Sequence, residues 1–104
     1  MEIRYLLNDI KLREDEKKYL SDKLKKVEKL LSGYNDNEVN GEVEVALDKK
    51  GFFRVEFMIK TPRDLYRSEK ISDTMMNAAD QAEEALRKQI RRNKEKAVDA
   101  KRKK

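Results

Sequence analysis

Hydrophobic residues alternate with polar ones at the start of the chain, and a helical spacing follows. Ile3, Tyr5 and Leu7 fall on one side of a period-two pattern, which predicts a strand. From residue 14 to residue 32, apolar residues recur at intervals of three and four, which predicts a helix with one buried stripe. That stripe consists of Leu20, Leu24, Val27 and Leu31.

A second alternating block predicts an antiparallel hairpin with one buried face. Its first strand carries Val43, Val45 and Leu47, and after the turn "DKKG" its second strand carries Phe53, Val55, Phe57 and Ile59. Asn40-Gly41 is interpreted as the entrance to the first of these strands. Residues 64–70, "DLYRSEK", predict a short fourth strand at a sheet edge, where charged side chains discourage the addition of another strand.

The last predicted element is a long helix capped by Ser72 or Asp73. Its apolar seam steps by three or four residues and comprises Ile71, Met75, Ala79, Ala82, Leu86 and Ile90. Beyond Ile90 the helix has little apolar surface to keep it docked, so we expect its end to project into solvent. The order strand, helix, three strands, helix predicts an α+β fold, β-α-β-β-β-α, with two helices on one face of a four-stranded mixed sheet.

Composition narrows the possible functions. The 104 residues suit a single domain, and they include no Cys and no His. The absence of these residue types removes thiolate and imidazole ligands and the common nucleophile–base pairs, so we expect no enzyme activity, metal or cofactor. No apolar run is long enough to span a bilayer and the N-terminus does not resemble a signal peptide, so the expected location is the cytoplasm.

Positive charge is concentrated at the C-terminal end of the chain. Residues 87–104 hold ten Lys or Arg and two acids, a balance of +8, which leaves −3 on residues 1–86 of a chain with net charge +5. Six of these cations lie within residues 87–96, and several repel each other at a spacing of four. They are Arg87, Lys88, Arg91, Arg92, Lys94 and Lys96.

The first predicted helix carries a second group of cations. Its candidate RNA-binding residues are Lys23, Lys25, Lys26 and Lys29. If the two helices lie side by side, these lysines and the C-terminal cations form one basic surface that fits a nucleic-acid backbone. A solvated helix end explains only a few of the charges, and a membrane surface fits poorly because no apolar flank adjoins the patch. Phe53, Phe57 and Tyr5 are expected in the core, whereas Phe52, Tyr34 and Tyr66 are candidates for exposure.

Two segments match the sequence pattern of one known protein family at many positions. In "SDTMMNAADQAEEALRKQIRRNKEK" the matching positions are Ser72, Asp73, Met75, Ala78, Asp80, Leu86, Gln89, Arg91 and Lys94. In "KYLSDKLKKVEKLL" they are Tyr19, Lys23, Leu24, Lys26, Glu28 and Lys29. With these matches the chain resembles the ribosome hibernation promoting factor family. It departs from the family pattern at Arg13, Met76 and Ala79, which puts local packing in question and leaves the basic positions in place.

The resemblance implies a fold similar to double-stranded-RNA-binding domains and a protein that silences ribosomes. Such a protein occupies the small ribosomal subunit, contacts its rRNA and blocks the mRNA and tRNA sites. We expect a ribosome-binding domain at residues 1–96, a basic disordered tail at 97–104, similarity to the short type of the family, and a monomer off the ribosome without a small-molecule substrate. Two alternatives stay open: a stand-alone binder of structured RNA, and a basic protein-interaction module.

Overall fold

The computed structural model describes the backbone of residues 1–102 and the side chains of residues 1–95. The order of the elements confirms the predicted β-α-β-β-β-α arrangement. They are β1 (Glu2–Asn8), α1 (Glu14–Glu28), a 3-10 turn (Asp36–Glu38), β2 (Asn40–Leu47), β3 (Phe53–Lys60), β4 (Leu65–Ser72) and α2 (Met75–Arg102). Lys103, Lys104 and the side chains from Lys96 onward lie outside the described part of the chain, so the division into a domain at 1–96 and a disordered tail at 97–104 stays a prediction.

The four strands form one mixed sheet in the order β1-β2-β3-β4. β1 pairs in parallel with β2, while the β2–β3 and β3–β4 pairs are antiparallel. With this topology both helices begin at the end of the sheet that carries the β2–β3 turn. Their C-terminal halves therefore point toward the opposite end.

One face of the sheet is buried beneath the two helices. Phe57 of β3 and Leu24 of α1 have no exposed surface, and Ala79 and Ala82 of α2 are equally buried. The small alanine side chains allow α2 to approach the sheet closely. The opposite face carries charged pairs such as Arg54 and Glu44, whose Nη2 and Oε1 atoms are 2.5 Å apart. This division confirms the predicted placement of both helices on one face.

α1 is shorter than its periodicity predicts. The helix ends at Glu28, not at residue 32. The backbone N–H groups of Leu30 and Leu31 donate to carbonyl oxygens three residues back, at 2.9 Å each, so the chain tightens after Glu28. Gly33 follows with a φ of 83°, a left-handed conformation that carries little strain in glycine.

The predicted start of α2 is also wrong in detail. Thr74, rather than Ser72 or Asp73, caps the helix: its Oγ1 accepts a hydrogen bond from the Asn77 backbone N–H at 3.1 Å. Ile71 belongs to β4 and is 59% exposed, so it is not part of the helical seam. Tyr66 is buried, contrary to its assignment as a candidate for exposure, because its place on β4 turns it toward α2.

Candidate nucleic-acid interface

α1 and α2 lie side by side and run in the same direction. Tyr19 of α1 donates a hydrogen bond from its hydroxyl to Asp80 Oδ1 at 2.7 Å, and Lys23, one turn later, reaches both Asp80 and Glu83. Successive turns of α1 therefore contact successive turns of α2, so the two helices are parallel. The parallel arrangement brings the basic C-terminal parts of both helices to the same end of the domain.

Lys23 and Arg87 take part in an ion-pair network between the helices. Lys23 Nζ lies 2.5 Å from Asp80 Oδ1 and 3.7 Å from Glu83 Oε2, and only 14% of its side chain is exposed. Arg87 Nε lies 3.6 Å from Glu83 Oε1. Two of the ten predicted RNA-binding cations thus already have carboxylate partners that join α1 to α2.

The network shifts the titration of its members. Hydrogen bonds from Lys23 and then from Tyr19 hold the pKa of Asp80 below its ordinary value of 3.8. Burial opposes the charged form of Lys23, but the hydrogen bond to Asp80 and the charge of Glu83 outweigh it and raise the pKa of Lys23. The ion pairs therefore persist at neutral pH.

Most of the remaining predicted cations are exposed and unpaired. Within residues 1–95, no carboxylate lies within 4.0 Å of the charged atoms of six of them: Lys25, Lys26, Lys29, Arg91, Arg92 and Lys94. The lysines of α1 border a depression of about 440 Å³, lined by Tyr19, Asp22, Lys23, Lys25, Lys26 and Lys29. Unpaired cations around an open depression offer charge to an anion without first breaking internal ion pairs.

The cations of α2 do not all face α1. Arg87 lies toward α1, and Lys94, two turns further on, lies on the same side. Lys88 and Arg92 instead border a second depression, of about 420 Å³, on the side of β4. The single basic surface predicted from sequence is therefore divided between two flanks of α2, and Arg91 lies between them. The Lys96 side chain lies outside the described residues.

Lys70 of β4 also borders this second depression. Its position on the strand shares the parity of the buried Tyr66 and Ser68, so it lies on the helix-covered side of the sheet. Sequence reasoning predicted only a charged edge strand here and did not identify Lys70 as a candidate binding residue. The period-two spacing of Tyr66, Ser68 and Lys70 could have identified it, because this spacing puts Lys70 on the face that packs against helices.

Polar contacts fasten the other flank of α2 to β4. Ser68 Oγ donates to the Ala82 carbonyl oxygen at 2.6 Å. The Gln89 side chain accepts from the Arg67 backbone N–H at 3.1 Å and donates to the Arg67 carbonyl oxygen. Further along, Asn93 Nδ2 donates to the Tyr66 hydroxyl at 2.7 Å. α2 is therefore held on the sheet beyond the last residue of its apolar seam, Ile90.

The described residues contain neither a metal-binding cluster nor a membrane-spanning helix. No group of three or more acidic side chains in this part of the chain is arranged to hold a metal ion. Within the same part, no helix combines the length and the apolar character needed to cross a bilayer.

Comparison with known proteins identifies the class of protein that the fold and surface define. Residues 3–98 match the family described as Sigma 54 modulation protein / S30EA ribosomal protein, and the chain belongs to this family. Membership supports ribosome binding and ribosome hibernation as its functional class, as the resemblance implied. Comparison with curated protein sequences gives no match.

The fold is shared with solved structures of other proteins, among them the following two. The N-terminal domain of Protein Y from Thermus thermophilus is 22% identical, with a TM-score of 0.76, over 88% of this chain and 98% of that chain. A ribosomal subunit interface protein from Coxiella burnetii is 18% identical, with a TM-score of 0.73, over 90% of this chain and 98% of that chain. At these identities the likeness establishes the fold, and the family match carries the classification.

Proposed function

We propose that this protein is a ribosome hibernation factor that binds the small ribosomal subunit and inhibits translation under stress by occupying the mRNA and tRNA sites. In this role α1 and α2 lie against rRNA backbone, and the bound domain acts by occlusion rather than by chemistry. The protein works in the cytoplasm and is a monomer off the ribosome. Family membership supports the ribosome as the partner.

One structural observation carries the proposal: unpaired cations of two parallel helices collect at the same end of the domain. Lys26 on α1, Lys29 directly after the end of α1, and Arg91 on α2 have no carboxylate partner within residues 1–95. Like charges held together in this way repel each other, and an RNA backbone relieves the repulsion by supplying phosphates. We assign phosphate contact to these cations and to Lys25, Arg92 and Lys94.

Lys23 and Arg87 have a different part in the proposal. Their charges are engaged by Asp80 and Glu83, so both contribute only indirectly to the basic surface. Lys23 links the two helices directly, whereas Arg87 pairs with Glu83 within α2. The charge of Lys88, on the other flank, is engaged within α2, because its Nζ lies 3.5 Å from Glu84 Oε1.

A matched pair of double variants tests the basic surface. Lys29→Ala/Arg91→Ala removes two unpaired cations, whereas Lys49→Ala/Lys50→Ala removes two exposed cations from the β2–β3 turn at the opposite end of the domain. If each interface cation neutralises one phosphate, the first variant should reduce the log-log salt slope of small-subunit binding by about 1.4–1.8. The control should match the wild type. Equal slopes in all three proteins, measured by co-sedimentation in sucrose gradients, would refute the surface assignment.

Occlusion needs a separate test, because binding alone does not establish where the protein sits. Small subunits preloaded with mRNA and tRNA should bind much less protein than empty subunits, and the wild type should inhibit translation in a reconstituted system. Equal binding to loaded and empty subunits would contradict occlusion while leaving ribosome binding intact. Equally tight binding to a short naked RNA duplex would favour a stand-alone RNA-binding protein.

A further inference from the structure

The depression between α2 and β4 contains three cations that belong to two different elements. Lys70 comes from the edge strand, and Lys88 and Arg92 come from α2, with Gln81 and Gln89 beside them. Glu84 is the acid in the lining, and its carboxylate already contacts Lys88. Within the described residues no carboxylate lies within 4.0 Å of Lys70 or Arg92, so the depression has a net positive charge that nothing in this part of the chain neutralises.

A protective role for an edge lysine explains this arrangement poorly. Charged side chains on an edge strand discourage the pairing of a further strand. Here the edge backbone of Arg67 is already occupied by the side chain of Gln89, which pairs with both its N–H and its carbonyl oxygen. Lys70, moreover, lies on the helix-covered side of the sheet. Because α2 lies next to it there, a charge is not required at this position to keep another strand from pairing with the edge.

The shape of the depression fits an extended anion. Its lining runs from Gln81 to Arg92, which is about three turns of helix and about 16 Å at the rise of an α-helix. Its cations are distributed along that length instead of converging on one point. A row of charges suits the successive phosphates of a nucleic-acid strand better than it suits a single small anion. The exposed amide of Gln81 lies within the same lining.

We propose that this depression, which we call the α2–β4 groove, binds a second stretch of RNA backbone, so that α2 contacts RNA on both flanks. The proposal rests on the proposed function for its RNA partner and goes beyond it in the site. The first flank meets phosphates through α1 and Lys94, and the second meets them through Lys70 and Arg92. Lys70 becomes an RNA-contacting residue that lies outside both helices.

The test compares two exposed strand lysines on opposite faces of the sheet. Lys70→Ala removes a cation of the groove, and Lys60→Ala removes one from the open face, which is turned away from both helices. Binding to purified small subunits is measured over a series of salt concentrations. Lys70→Ala should lower the log-log slope by about 0.7–0.9, the contribution of one phosphate contact, while Lys60→Ala leaves it unchanged. Equal slopes for the two variants would overturn the proposal.

Lysine acylation followed by mass spectrometry supplies a second measurement that does not depend on substitution. The wild-type protein is labelled alone, with small subunits, and with a short single-stranded RNA. The groove predicts that Lys70 is protected whenever RNA is bound, while Lys60 stays reactive. Protection of Lys26 and Lys29 on the subunit without protection of Lys70 would contradict RNA binding in the α2–β4 groove. It would leave the proposed function intact. If the wild-type protein did not bind the small subunit at all, the proposed function would be contradicted. Protection of Lys70 by the single-stranded RNA would then be the remaining test of the groove.

Discussion

The contact of Lys23 with Asp80 should stabilise the fold and be sensitive to pH. Asp80→Asn removes the charge that lies 2.5 Å from Lys23 Nζ and weakens the acceptor of the Tyr19 hydroxyl. Lys23→Met keeps most of the apolar stem and removes the ammonium group. The two single variants and their double variant form a cycle that isolates the interaction between the helices.

Exposure sets the size of the effect. The Asp80 side chain is 54% exposed, which places it near solvent-exposed pairs worth about 0.2–1 kcal/mol. Lys23 is only 14% exposed, and removing one partner of a fully buried pair costs about 3–5 kcal/mol. Because Glu83 remains 3.7 Å from Lys23 in Asp80→Asn, we expect a loss of about 1–2 kcal/mol. The coupling energy in the cycle should be about 1 kcal/mol.

The sign of the pH dependence follows from the titration of Asp80. Its pKa is lower in the folded protein than the ordinary 3.8, so the folded state binds fewer protons than the unfolded state in that range. The stabilisation is therefore fully present above pH 3.8 and is lost as the pH falls through the folded-state value. The difference in stability between the wild type and Asp80→Asn should shrink in the same acidic window.

Urea unfolding followed by circular dichroism measures both effects, first at pH 7 and then at successively lower pH. Asp22→Asn is a suitable control, because Asp22 is an exposed carboxylate on α1 that makes no ion pair among residues 1–95. It should change stability by less than about 0.5 kcal/mol. A coupling energy near zero, together with an Asp80→Asn variant as stable as Asp22→Asn, would refute the reasoning.

Three other substitutions probe how the helices are placed. Gly41→Ala should lower the free energy of unfolding by about 1–3 kcal/mol, because the added Cβ would lie 2.7 Å from Leu24 Cδ2; a urea midpoint equal to that of the wild type would contradict this. Thr74→Ala should cost about 1 kcal/mol in thermal unfolding, and an equal loss in Ser72→Ala would show that the cap is misassigned. Gln89→Ala should speed hydrogen exchange of the Arg67 amide relative to a Gln81→Ala control, and unchanged exchange would argue against the edge contact.

Sequence periodicity predicts most of the fold because each element buries one face. Burial alternates along β1, β2 and β3, and the seam from Met75 to Ile90 is buried along its length, so local spacing and tertiary packing agree. The ends of the helices are harder to predict. Leu31 continues the apolar stripe of α1 and Ile71 continues that of α2, but the tightened turn after Glu28 and the pairing of β4 depend on contacts that spacing does not encode.

The surface is predicted less fully because charge pairing depends on distant residues. Lys23 looks like a free cation beside its neighbours in sequence, yet its partners Asp80 and Glu83 come from the other helix. Lys70 looks like an isolated edge residue until α2 is placed next to it. Sequence reasoning therefore identifies which residues carry charge, whereas the fold determines which of those charges are available and on which flank they lie.

The fastening of α2 along both sides implies that the protein meets its partner already rigid. Asp80 joins the helix to α1, and Ser68 and Gln89 join it to β4, so its backbone has little freedom left to lose. Only the exposed side chains need to be ordered on contact, which keeps the entropic cost of association low. Hydrogen exchange along residues 78–90 should consequently change little when the complex forms, because the free domain already has its bound backbone conformation.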